Sequence, residues 1–348
     1  MAQQAGKRDA GLDVVRAVAI ILVVMIHVAS DSLSNGVGGL NWWGALFWGA
    51  LARPAVPLFF MCSGALMLGR DIPLKRLYGH NMLRIVAAMM VWAFGYQLVV
   101  LILEQGRPDL AGLWTAVKNT LLLEHGFHFY YLHILILVYA FLPVCRTFVR
   151  GASQKDLEYL LIFWFVTGIL FPLLRYFPPF SMIYTVELWY MMNMAYAAVG
   201  YGVLGRYLKR YGGRIPAVWY GLSLAAGLVL TFAGTAFFSL RAGELDERFL
   251  EGMSPGPMLI ALGLFGLMAN REKWPVPVAR VTGRMALSAF CIYLVHPLVM
   301  GAEMVVGLNT AAAPSLIVIP LAVLAVLVPS YLSWEVLRRI PIVRTWLI

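Results

Sequence analysis

Ten apolar runs, each close to the length that crosses a bilayer as a helix, decide the fold class before any single residue is considered. They lie at about 12–30, 42–68, 85–104, 128–148, 157–174, 184–205, 216–238, 256–270, 285–304 and 314–337 of 348 residues. About 20 apolar residues span the hydrocarbon as a helix, whose backbone hydrogen bonds are all internal. The runs are continuous rather than alternating, which argues against barrel strands. Charged residues make up 13% of the chain, about half the share in soluble proteins. The sequence predicts an all-α, polytopic integral membrane protein of about ten transmembrane helices. No linker or low-complexity stretch divides it, so residues 1–348 read as one transmembrane domain with no separate soluble domain.

The net charge of +10 does not point to nucleic acid, because the basic residues mark topology. Of the 27 Lys and Arg, 20 fall in alternate segments between spans, from Lys7 and Arg8 through Arg76 and Arg84 to Arg338, Arg339 and Arg344. The intervening segments hold only Arg107, Lys118, Arg175, Arg241 and Arg248. The positive-inside rule then places both termini in the cytoplasm. Cys62, Cys145 and Cys291 all lie in or at the ends of spans and read as small buried hydrophobes rather than a disulfide framework.

The remaining two of the Lys and Arg, Arg16 and Arg53, lie within spans, and the first span also carries His27. Arg16 opens LDVVRAVAIILVVMIHVASD and His27 nearly closes it. Eleven residues at 100° each return to within about 20° of the same face and advance about 16 Å along the axis. The pair therefore shares one stripe, with Arg16 near one membrane surface and His27 past the midplane. Arg16 alone would also suit snorkelling to the headgroups, and His27 alone would suit a packed, hydrogen-bonded imidazole. Lys7 and Arg8 before this run also resemble a signal peptide, but Asp13 and Arg16 interrupt its apolar region and many spans follow. Asp31 follows His27 by four residues, a spacing at which a carboxylate can orient an imidazole.

The second span contains Arg53, Pro54 and Pro57. Proline removes amide donors, so the helix is expected to break there and face protein or a cavity. Arg53 lies too deep to snorkel, which makes it a functional candidate. The fourth span opens with EHGFHFYYLHILILVYAFLP. It carries His125, His128 and His133, but the second and third are five apart and no nearby carboxylate or cysteine completes a familiar zinc pattern, so no metal is expected. Phe129, Tyr130 and Tyr131 read as an interfacial aromatic belt whose rings also suit stacking on sugar. Glu187 and Glu303 lie near the outer ends of their spans, and His296 precedes Pro297 in SAFCIYLVHPLV.

These segments resemble the acyltransferase 3 family of bacterial integral membrane proteins, in particular the branch that O-acetylates surface polysaccharides. The resemblance runs from LDVVRAVAIILVVMIHVAS through RPAVPLFFMCSGALML, FHFYYLHILILVYAFLP and SAFCIYLVHPLV to LRRIPIVR. Arg16 and His27 match the family's arginine, ten residues, histidine pattern, and Arg53, Ser63 and Gly64 match its second-span motif. His128 matches a histidine that usually precedes Trp-Phe-Leu, here FYYL. The basic loop LKRLYGHNMLRIV separates Arg76 from Arg84 by eight residues, where the family pairs two arginines closely.

The resemblance implies a multi-pass protein of the bacterial cytoplasmic membrane. It implies transfer of an acyl group, most often acetyl, from cytoplasmic acyl-CoA to a hydroxyl of a cell-surface carbohydrate or its lipid-linked precursor. Acyl-CoA is then a co-substrate, and no permanently bound cofactor is expected. Arg16, Arg76 and Arg84 would bind the donor, since guanidinium pairs with phosphate. His27 would be the general base, with Arg53 as oxyanion donor and Asp31 as orienting group. His128, Tyr131 and Glu187 would receive the acceptor. The rival reading is a transporter of a small amino acid or an acylated metabolite, because transporters also build polar sites on broken helices. No inverted repeat supports it. Oligomeric state is not legible, since lipid-facing and partner-facing apolar surfaces look alike.

Overall fold

The computed structural model describes residues 8–124, 127–183, 190–271, 273–305 and 313–348. Among them there is no strand. The helices are α1 (Ala10–Ser34), α2 (Leu40–Ala52), α3 (Ala55–Met67), α4 (Leu74–Glu104), α5 (Leu110–Leu121) and α6 (Tyr130–Gly151). They continue with α7 (Gln154–Leu174), α8 (Met194–Tyr211), α9 (Ala217–Ala242) and α10 (Pro255–Ala269). Last come α11 (Val276–Val305), α12 (Ser315–Leu337) and α13 (Pro341–Trp346).

The protein is a polytopic all-α membrane protein. Eight stretches among the described residues are long and apolar enough to cross a bilayer, with α2 and α3 together forming one of them. The other two expected spans correspond to α8 and α10. Helix α8 has 18 residues but carries Arg206, Lys209 and Arg210 in its second half, and α10 has only 15. Both are largely buried against other helices, so neither has to match the lipid thickness by itself.

Helix α1 is the most buried of the membrane-length helices and packs on α2, α3, α10, α11 and α12. Its start is anchored by charge. Asp9 caps it by accepting from the Leu12 amide at 3.1 Å and also pairs with Lys209 of α8 at 2.7 Å. The Lys209 ammonium donates to the Ala269 carbonyl at the end of α10. Asp13, buried within the first turn, is paired with Arg8, which donates to the Gly283 carbonyl of α11 at 2.6 Å. Acidic side chains at a helix N-terminus also suit its dipole. These contacts hold the register of α1 along its axis, and with it the depths of Arg16 and His27.

The predicted break falls where the prolines put it. Helix α2 ends at Ala52, Arg53 and Pro54 form a turn, and α3 begins at Ala55. Helix α3 then lies against α8 at a distance only glycine permits. A Cβ on Gly64 would meet the Gly202 carbonyl oxygen at 1.9 Å, and one on Gly205 would meet the Met61 carbonyl oxygen at 2.1 Å. Lipid-embedded helices associate by such close packing, because lipid supplies no hydrophobic drive between them. Gly64→Ala is therefore expected to force α3 from α8 at a cost of about 1–3 kcal/mol or more, seen as a lowered Tm in detergent. Gly221→Ala, where added atoms meet open space, is expected to leave Tm unchanged or raise it.

Candidate active site

A single cavity of about 660 Å³ brings most of the candidate residues together. Arg16 and His27 of α1 both line it, joined by Arg53 from the turn between α2 and α3, Ser63 of α3, Arg84 of α4, His128, and Tyr131 of α6. The two ends differ in chemistry. Towards the face that carries the N-terminus stand Arg16, His80, Asn81 and Arg84. Towards the opposite face stand His27, Arg53, His128, Tyr130, Gly252 and Met253. Helix α1 runs from one end to the other, which is why two residues on one stripe reach both.

The start of α4 explains the basic end. Residues Leu77–Met82 are π-helical, a rare geometry that, where it interrupts an α-helix, is frequently found at functional sites. It turns His80 and Asn81 to the cavity with Arg84. The Arg84 guanidinium donates to the Ile348 carbonyl and lies 5.8 Å from the Phe290 ring. Arg76, eight residues earlier, is exposed and is not among the cavity residues. The two arginines of the basic loop thus part company, and His80 and Asn81 take the place that spacing had given to Arg76. A helix wheel at 3.6 residues per turn could not have found them, because the turn is not α-helical.

At the opposite end Arg53 reaches Glu247 at 3.6 Å. Glu247 and Glu251 belong to the segment between α9 and α10, whose Leu250, Gly252 and Met253 close the cavity. Nothing in the sequence around Glu247 marks it, since its partner is nearly 200 positions away. Burial holds the Glu251 carboxyl above the usual carboxylate range; Arg175 and Arg53 oppose this and Glu247 adds to it.

The aromatic residues differ from the expected belt. Phe129 and Tyr131 are buried and only Tyr130 is exposed. Tyr131 packs on Phe60 at 5.3 Å and on Tyr293 at 5.4 Å between ring centroids, and the Tyr293 hydroxyl donates to the His128 carbonyl at 2.5 Å. The rings fill the space opened beside the broken span, so they face inward rather than to the headgroups. Asp31 lies on the exposed surface of α1, with Asn35 Nδ2 on its carbonyl at 2.9 Å and on its carboxylate at 3.4 Å. Glu187 and His125 lie outside the described residues. Ser63 Oγ donates to the Phe59 carbonyl within its own helix at 2.9 Å.

His296, which the sequence alone does not place in the site, is fully buried beside His27. Their ring centroids are 5.1 Å apart with 28° between planes, and His128 lies 6.2 Å away on another side. The signal that could have found it was present: an ionisable residue within a span is functional by default.

The model of an acyltransferase domain matches residues 9–334, nearly the whole chain. No curated protein and no solved structure matches it. The fold, the cavity and this match define a multi-pass membrane acyltransferase. The chain belongs to the acyltransferase 3 family.

Because folding raises the affinity of Glu251 for its proton, its contribution to stability is whole below the ordinary carboxyl value of about 4.3 and is lost as pH rises through the folded value. Glu251→Gln is expected to gain in Tm relative to the wild type as pH is raised from about 4 to about 7, measured by thermal unfolding in detergent at each pH.

Proposed function

We propose that this protein moves an acyl group, acetyl in the simplest case, from acyl-CoA to a hydroxyl of a cell-surface carbohydrate or its lipid-linked precursor. The observation that carries this reading is the polarity of the cavity that Arg16 and His27 share. Two arginines and a histidine stand at one end, and two histidines with an arginine stand at the other. With the N-terminal, basic face in the cytoplasm of a bacterial inner membrane, CoA phosphates meet Arg16 and Arg84. His80 and Asn81 flank them. The pantetheine arm is long and uncharged, which suits the apolar middle of the cavity lined by Val23, Ile134 and Leu135.

The thioester then lies between His27 and Arg53. His27 takes the proton of the acceptor hydroxyl as its oxygen bonds to the acyl carbon. Arg53 donates to the oxyanion so formed. The C–S bond breaks, and the departing thiolate recovers the proton from His27, giving ester and free CoA. Tyr130 beside Arg53, with Tyr131 and His128 behind it, forms the side from which the acceptor approaches. A Glu187 contact with the acceptor belongs to the same reading.

Arg53→Ala is expected to lower thioester consumption about a hundredfold to a thousandfold, the usual cost of removing an oxyanion donor. Acetyl-CoA at 100 times its Kd is expected to stabilise the purified protein by about 2.7 kcal/mol, seen as a rise in Tm in nanodiscs. The rise is expected to shrink in Arg16→Ala and Arg84→Ala and to persist in Arg76→Ala. A folded protein that no acyl-CoA stabilises, yet which passes a small solute across liposomes, would establish the transporter instead.

A further inference from the structure

The Pro297 ring does more than interrupt α11. A helical residue at 297 would donate its amide to the carbonyl of residue 293, and proline cannot. The Tyr293 carbonyl is therefore left without its usual donor, four residues back and deep among packed side chains. His296 Nδ1 lies 2.9 Å from that carbonyl and 3.0 Å from the carbonyl of Ile292. A carbonyl oxygen can only accept, so Nδ1 must carry the proton, and the neutral ring then has its lone pair on Nε2. His296 is 0% exposed, and its Nε2 has no hydrogen-bond partner among the described residues. A buried acceptor left open in this way is costly unless something is brought to it.

What lies beside it is the ring of His27, 5.1 Å away between centroids and within 28° of parallel. The two rings are stacked, and an imidazole N–H and lone pair lie in their ring planes, so the His27 ring must turn about its own side-chain bond to bring an N–H to the Nε2 lone pair. His27 lines the cavity, whereas His296 is not among the cavity residues. One histidine thus meets the ligand and the other stands behind it, in the relation that a carboxylate takes to the imidazole of a catalytic triad.

We propose that His296 is the positioning residue of the site: locked by the Pro297 break in its Nδ1–H tautomer, it presents Nε2 to His27. The proton of neutral His27 is thereby held on the nitrogen facing α11, and its lone pair is left on the nitrogen facing the cavity. A neutral partner also leaves the pocket without a second buried charge beside Arg53. This rests on the reading of His27 as the general base, and it gives the orienting role to α11 rather than to Asp31.

Nitrogen NMR of the full chain in nanodiscs, with the histidines labelled and assigned by substitution, reads each tautomer directly. In the wild type His296 is expected neutral and protonated on Nδ1, with His27 in a single tautomer. His296→Asn keeps a donor near the Nδ1 position and removes the acceptor, so His27 is expected to become a mixture of tautomers. His296→Gln returns an acceptor near the Nε2 position and is expected to restore the single form, a difference that simple packing would not produce between two buried amides. Acetyl-CoA is expected to raise Tm equally in all three. A wild-type His296 that is charged or protonated on Nε2, a His27 spectrum indifferent to His296→Asn, or a tautomer mixture caused instead by Asp31→Asn would each overturn the proposal. Failure of acetyl-CoA to stabilise the wild type, with the His27 response intact, would overturn the acyl-CoA reading and leave the histidine pair standing.

Discussion

A cation held inside a bilayer must be given polar company by the protein, and the turn at Arg53 and Pro54 creates that need near the middle of a span. Pro54 and Pro57 each withhold an amide, so backbone carbonyls are freed at the same depth as the guanidinium. Lipid cannot solvate either, which obliges the break to face a protein-lined space. The cavity beside it, the Glu247 contact at its mouth and the inward turn of Tyr131 are all consequences. Prolines that would weaken a soluble helix here decide where the polar interior of a membrane protein lies.

Placing two groups at the two ends of that space demands a helix that does not slide. Helix α1 is fastened at its start through Asp9 to Lys209 and through Asp13 and Arg8 to α11. The Asp9–Lys209 pair joins two helices, and Arg8, held by Asp13 of its own segment, reaches α11 through the Gly283 carbonyl; such partly buried contacts define register more than they add stability. Close glycine contacts between α3 and α8 then hold the broken span against the rest of the bundle. The rigidity of this frame is what allows a histidine on α1 and a histidine on α11 to meet at a fixed separation.

The site itself is divided between two kinds of local irregularity. A π-helical turn at Leu77–Met82 brings His80, Asn81 and Arg84 to one end. A proline in α11 ties down the His296 ring at the other. In both places a departure from α-helical hydrogen bonding aims a polar side chain, which a regular helix in lipid has little freedom to do.

The helical class, the membrane setting, the break at Arg53 and the shared face of Arg16 and His27 were all legible from local pattern, because each depends on residue spacing within one segment. Arg16 and His27 do line one cavity, since a helix keeps its own periodicity whatever surrounds it. The parting of Arg76 from Arg84 was not legible, because a π turn breaks the periodicity from which spacing is read. Nor were Glu247 beside Arg53, Asp31 on the surface, or His296 behind His27. Those depend on which helices become neighbours, and neighbours are chosen by packing between residues far apart in the chain, where one apolar face looks much like another.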